Sequence, residues 1–166
     1  MAMALMRTII DEKWYNEKYL KTPGKVGMDH NDEVSVCNAT HLVIANEDHP
    51  LYGHFLREWD IKEIEGDRAQ SAILVLDEAS QNFMSEATSP IAVLDINQEI
   101  TLRDGSTALL KSSFTLLTES ARKHTVAEYS EMCGVPEATI KGLARKFTSH
   151  GRKAAIITHG GMMSGN

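Results

Sequence analysis

The stretch Thr125–Gly161, TVAEYSEMCGVPEATIKGLARKFTSHGRKAAIITHGG, decides how the chain is read: helix, tight turn, helix, strand and glycine loop in succession. Thr125 and Glu128 form a T-x-x-E pair, in which each side chain satisfies an orphan N–H at a helix start. The helix Val126–Cys133 then stops at Gly134, the residue that most cheaply takes the left-handed conformation past a helix end. Pro136 opens the second helix, where it has no N–H partner to lose. Ile140, Leu143, Ala144 and Phe147 recur at i, i+3, i+4 and i+7 and predict one apolar stripe. Gly151 ends that helix. Ala154–Thr158 (AAIIT) is short, apolar and β-branched, as a buried strand is. It runs into His159-Gly160-Gly161, where a backbone without Cβ atoms lets a ligand approach closely. Ligands of open α/β sheets bind beyond the carboxyl ends of strands. This loop is therefore the first candidate binding site.

Composition narrows the classes around that core. The 166 residues suffice for one full domain, 42% apolar and 24% charged as ordinary globular chains are. A net charge of −6 gives no electrostatic footprint for nucleic acid or an anionic membrane surface. Cys37 and Cys133 lie too far apart for zinc or iron–sulfur spacing and read as two unpaired thiols. No apolar run approaches the ~20 residues needed to span a bilayer. The opening MAMALMRTII lacks a basic region and a cleavage site, so it is not a signal peptide. Leu5, Met6, Ile9 and Ile10 make a helical stripe with nothing upstream to cap it, and the far end stops in Met162-Met163-Ser164-Gly165-Asn166. Both ends read as cut, and the expectation is a fragment of a longer protein.

From the start, the first helix is expected to run to about Asp11, and Asn16 to cap a short second one, Glu17–Lys21, ended by Pro23-Gly24. Residues 22–35 read as a loop with little structure of its own. His41–Ala45 is a convincing strand, and Asn38-Ala39-Thr40 a chance sequon. His49–Gly53 (HPLYG) marks a surface turn, and 57–70 reads as irregular. Ser71–Leu76, Pro90–Ile96 and Glu99–Leu102 read as strands, with 78–89 a surface excursion. Asp104-Gly105 is a strong hairpin signal, both positions tolerating positive φ, and Thr107–Lys111 is the return strand. Ser113 is expected to cap a helix to about Arg122, with Leu116, Leu117 and Ser120 inward. The fold class is α/β: a sheet-and-helix domain, or fragment of one, with a small antiparallel β-hairpin region. The 166 residues are read as one domain, with a helical start over 1–21, mixed strands and hairpin over 40–111, and helix pair and strand over 113–166.

Chemical motifs are few. Seven histidines carry no H-x-x-x-H pair on a helix, and His49, His54 and Asp48 read as a solvated loop rather than a metal centre. G-x-S-x-G, P-loop and G-x-G-x-x-G motifs are absent. The helix pair Thr125–Phe147 has a helix–turn–helix look, with Ser130 four before Gly134 and Ile140 six after it. A DNA-reading version would offer Lys141, Arg145 and Lys146 to phosphates. The acidic chain favours a plain packing unit instead.

The same residues carry a family resemblance. VAEYSEMCGVPEATIKGLARKF (126–147) followed by KAAIITHGG (153–161) resembles a recurrent segment of the molybdopterin-dependent oxidoreductases of the dimethyl-sulfoxide-reductase family. There a helix pair of the form G-V-P-x-x-x-I-x-x-L-A leads to a strand ending by the pterin. MALMRTIIDEKWYNEKYL (3–20) and EITLRDGS (99–106) are similar to further pieces of that family in the same order. CNATHLVIANEDHPLYGHFL (37–56) and RAQSAILVLD (68–77) resemble its tetrathionate-reducing branch; arsenate, polysulfide and thiosulfate reducers stand behind it.

The resemblance implies a parent enzyme with bis(molybdopterin guanine dinucleotide) on molybdenum and a 4Fe-4S cluster, neither expected on the fragment alone. It implies His159, Gly160, Gly161, Met162 and Met163 as cofactor-binding, with no catalytic residue and no metal ligand in this stretch. The implied partners are the rest of the catalytic subunit, an iron–sulfur electron-transfer subunit, and a membrane-anchor subunit. The implied location is the periplasm, with no nucleic acid and no direct membrane insertion. The implied reaction is two-electron cleavage of the S–S bond of tetrathionate to thiosulfate, an anaerobic respiratory step. A helix–turn–helix regulator and a standalone interaction module remain the alternatives.

Overall fold

A computed structural model describes residues 1–155. Within it the chain forms two compact units, one from Met1–Tyr15 together with the residues from Ala121 onward, the other from Asn16–Ser120. Helices and strands are mixed, and the paired strands are antiparallel, as the α/β reading with a hairpin region expects.

The helical unit contains α1 (Ala2–Asp11), α6 (Val126–Cys133) and α7 (Glu137–Ser149). Its core joins Ala4, Tyr129 and Ile140, flanked by Met3, Leu5, Val126, Cys133 and Val135. On α1 the buried face is Ala4, Thr8 and Ile10, whereas Met6 of the expected stripe stands exposed. On α7 Ile140 and Ala144 are fully buried, but Leu143 is 44% exposed and Phe147 is half-buried. The inward line is set by small residues, Ala4 and Ala144, which let two helix backbones come close; the wider stripe read from periodicity faces partly outward. The helix pair itself forms as expected. Thr125 Oγ1 accepts from the Glu128 N–H at 3.2 Å, and the Glu128 carboxylate accepts from the Thr125 N–H at 2.7 Å. Gly134 takes φ +65, and Pro136 sits one residue ahead of α7, as its N-cap.

The second unit contains α2 (Glu17–Leu20), α3 (Lys25–Asn31), β1 (Leu42–Ile44), α4 (Glu58–Ile61), β2 (Leu74–Leu76), β3 (Phe83–Ser85), β4 (Asn97–Thr101), β5 (Thr107–Ser112) and α5 (Ser113–Ala121), whose last residue falls at the unit boundary. One sheet has the order β1-β5-β4, and β2 pairs with β3 in a second. The extended residues 55–57 connect them: Leu56 N–H donates to Leu42 O at 2.8 Å, and Leu74 N–H donates to Leu56 O at 3.0 Å. The core is Leu42, Ile44, Leu56, Leu74, Leu76, Ile96, Leu102, Ala108 and Leu110.

Several expectations for this unit need correction. Residues 22–35 hold α3, despite a weak local helix propensity. Gly24, its N-cap, lies so close to the 86–87 backbone that a Cβ would come 2.0 Å from Glu86 O. Buried Asn31 donates to Thr22 Oγ1 at 2.8 Å. Tertiary contact makes this helix, and sequence periodicity does not show it. The 78–89 excursion contains β3, in register with β2 from Leu74↔Ser85 to Leu76↔Phe83. Pro90–Ile96 is not a strand, since its N–H groups diverge to Lys21 O from Ala92 and to Leu76 O from Val93. Residues 57–70 carry α4 and a 3-10 turn at Arg68–Gln70. Ser112, not Ser113, caps α5, accepting from the Thr115 N–H at 3.0 Å. The buried face of α5 is Phe114, Thr115 and Ala121, while Leu117 is exposed.

The Asp104-Gly105 hairpin forms between β4 and β5, with a five-residue connection over 102–106. Gly105 alone takes positive φ, at +85. Asp104 keeps φ negative because its carboxylate accepts from the Ser106 N–H at 2.9 Å and hydroxyl at 2.6 Å.

Candidate functional site

The loop that the sequence marks as cofactor-binding, His159, Gly160, Gly161, Met162 and Met163, lies outside the described residues. The approach to it is described. α7 ends at Ser149 with the His150 ring bonded to Lys146 O at 2.6 Å, a 3-10 turn follows at Gly151–Lys153, and Ala154 is extended at φ −106, ψ 142. Ala154 and Ala155 carry no strand pairing, and Ile156–Thr158 of the expected strand lie outside the described residues.

The start of that approach is anchored by the end of α1. Lys141 Nζ meets Glu12 at 2.6 Å, and the Arg145 guanidinium lies 4.9 Å from the Trp14 ring centroid. Arg122 donates to Asp11 at 2.9 and 3.1 Å, and Asp11 also takes Arg7. Burial raises the Asp11 carboxyl, but the bonds from Arg7 and Arg122 outweigh it and hold it below its ordinary value. Two of the three cations a DNA-reading helix would offer are thus engaged within their own unit.

His49 is bonded rather than metal-ready. Its Nδ1 accepts from the Leu51 N–H at 3.0 Å, so Nε2 carries the proton and donates to Ser106 Oγ at 3.2 Å; Ser106 in turn donates to Asp104. The order is wrong for a nucleophile, because no base receives the serine proton; it ties the 46–54 turn to the hairpin. His54 is exposed. Among the described residues no three His, Cys, Asp or Glu side chains converge to hold a metal ion. Cys37 and Cys133 are free thiols, as expected.

Sequence reasoning passed over the buried polar groups of the sheet-containing unit. Asp60, 6% exposed, binds Arg68 through both oxygens at 2.7 and 2.9 Å and accepts from the Arg57 N–H at 2.8 Å. Burial raises Asp77, but hydrogen bonds from Ser80 and Ser89 outweigh it and hold the carboxyl below its ordinary value. Burial pushes the half-buried His41 down, its Nε2 having no partner, although the Glu86 charge and the Pro23 carbonyl pull the other way. Such groups stand in loops without periodicity, and no spacing rule finds them.

No family model matches the chain. It is 43% identical over all 166 of its residues to the large chain of tetrathionate reductase, its A subunit, from Salmonella typhimurium (strain LT2). It is 28% identical over 160 residues, 93% of its length, to the A subunit of selenate reductase from Mesobacillus selenatarsenatis. The chain spans 16% of the first relative and 14% of the second. No described helix is long and apolar enough to cross a membrane. With this similarity running from end to end, the family resemblance read from the sequence, to the molybdopterin-dependent oxidoreductases of the dimethyl-sulfoxide-reductase family, stands over these residues.

Proposed function

We propose that this chain is a segment of the catalytic subunit of a molybdopterin-dependent reductase whose substrate is tetrathionate. The observation that carries the reading is 43% identity, without interruption of coverage, to the Salmonella tetrathionate reductase chain, against 28% to its selenate reductase counterpart. The reaction adds two electrons to the central S–S bond and releases two thiosulfates. The molybdenum cofactor, in the bis(guanine dinucleotide) form, supplies that two-electron chemistry when bound, and a 4Fe-4S cluster delivers electrons. Neither would be held by this segment alone.

In this reading the segment contributes a scaffold rather than catalytic side chains. The α6–α7 pair, anchored by Glu12 and Trp14, carries the chain to His159-Gly160-Gly161 and Met162-Met163, which line the cofactor cleft. Glycine at 160 and 161 leaves room for a pterin edge. The parent works in the periplasm with two partners, one carrying iron–sulfur clusters and one anchoring the complex in the membrane. A DNA-binding role for Thr125–Phe147 finds no support, because Lys141 and Arg145 are occupied by Glu12 and Trp14.

Grafting this chain in place of the matching segment of the Salmonella protein tests the proposal. Dye-linked tetrathionate reduction retained in the graft, with no gain of selenate reduction, is the expected result. A cofactor-loaded graft that reduces selenate and not tetrathionate would overturn it.

A further inference from the structure

In the sheet-containing unit an open depression of about 470 Å³ is lined by Gly53, His54, Phe55, Arg57, Arg68 and Ala69. Its wall holds two guanidinium groups and an imidazole but no carboxylate. The acids nearby in sequence are already satisfied. Asp60 is taken by Arg68, Glu58 pairs with Lys62 at 3.1 Å, and Asp67 accepts from the Gln70 N–H at 3.1 Å. Arg57 has no carboxylate partner among the described residues. Its guanidinium donates to the Ser71 carbonyl, which orients the group without neutralising it. Arg68 is fixed at three points, by both Asp60 oxygens and by Phe55 O at 2.8 Å. These bonds use Nε and Nη2, leaving its Nη1 without a hydrogen-bond partner among the described residues.

Two arginines held rigid by groups outside the depression present spare N–H edges and one uncompensated positive charge to it. An arginine fork matches the oxygen spacing of oxyanions, and pre-orientation lowers the entropy lost on binding. We propose that this depression binds a tetrahedral oxyanion of the sulfate or phosphate type, with Arg57 as the main charged contact, Arg68 as the second donor and His54 at the rim. The site is separate from the cofactor loop and does not rest on the redox reading.

Calorimetric titration of the intact protein carrying this chain, with chloride replaced by sulfate, thiosulfate or phosphate at constant ionic strength, tests it. Saturable binding is expected, weakened about tenfold by Arg57→Gln, about threefold by His54→Gln and under about twofold by Lys62→Gln on neighbouring α4. His54 is exposed, so its substitution leaves folding intact and keeps the test decisive should Arg57→Gln misfold. Tighter sulfate and thiosulfate identify a sulfur oxyanion as the ligand, and tighter phosphate a phosphate-bearing one; either supports the site. No saturable heat with any of the three anions, or equal losses in the Lys62 and Arg57 variants, overturns it.

Discussion

The helical unit and the sheet-containing unit keep their shapes by different means. In the first, three helices meet at small residues, Ala4 and Ala144, around Ile140 and Tyr129, and charged or aromatic groups clasp the exposed rim. In the second, β1, β2 and β3 are three residues each, too short to stand alone. Buried polar side chains fasten its loops instead: Asp60 with Arg68, Asp77 with Ser80 and Ser89, and Ser112 with Thr115 and the Leu94 carbonyl. Apolar burial therefore dominates one unit, and hydrogen-bonded burial carries much of the order in the other.

That contrast breaks most visibly at Ile140. Ile140→Ala removes a fully buried side chain beside Ala4 and is expected to cost about 3–4 kcal/mol, whereas exposed Leu143→Ala on the same helix should stay within about 1 kcal/mol. Chemical denaturation followed by helix content separates them. Equal losses would mean that the close Ala4–Ala144 line does not define the inner face.

Next in size is Asp60→Ala, expected to cost about 2–3 kcal/mol by leaving partly buried Arg68 without its carboxylate. Asp60→Leu should not recover this, since Arg68 stays unpaired. A near-neutral Asp60→Ala would show that the polar clasps are ornaments on an apolar core.

The smallest effect is a difference in acid response. His41 has its folded value lowered, so the unfolded chain binds its proton first; stability is fully present above about pH 6.5 and declines as pH falls below it. Asp11 and Glu128 of the helical unit have lowered values too, which places their contribution above about 4.5 and its loss in more acid solution. Hydrogen exchange should show the sheet-containing unit loosening first as pH drops from 7 to 5, and His41→Gln should remove that early step. Simultaneous loosening of both units would contradict this order.

Sequence patterns carried the helical unit well. The Thr125–Glu128 box, Gly134 at φ +65 and the end of α1 at Asp11 are local signals, each complete within a few residues. They did not carry which face turns inward, because a stripe cannot say which partner is small enough to approach. In the sheet-containing unit the β4–β5 hairpin was legible at Asp104-Gly105, yet α3 was not, since it forms where Gly24 meets the Glu86 backbone across 62 residues of sequence. β3 was hidden for a similar reason: only its register with β2 makes Phe83–Ser85 a strand. The arginine-lined depression joins Arg57 to Arg68 through the buried Asp60, an arrangement that no spacing encodes.

The central functional claim is that Gly160 approaches the pterin in the intact reductase. Gly160→Val in the full-length enzyme tests it by metal and pterin analysis alongside thermal unfolding of the apoprotein. The account predicts loss of most of the molybdenum and pterin, with an apoprotein melting temperature within about 2 °C of the unsubstituted one. A Gly160→Val enzyme with full cofactor content and undiminished tetrathionate reduction would contradict it.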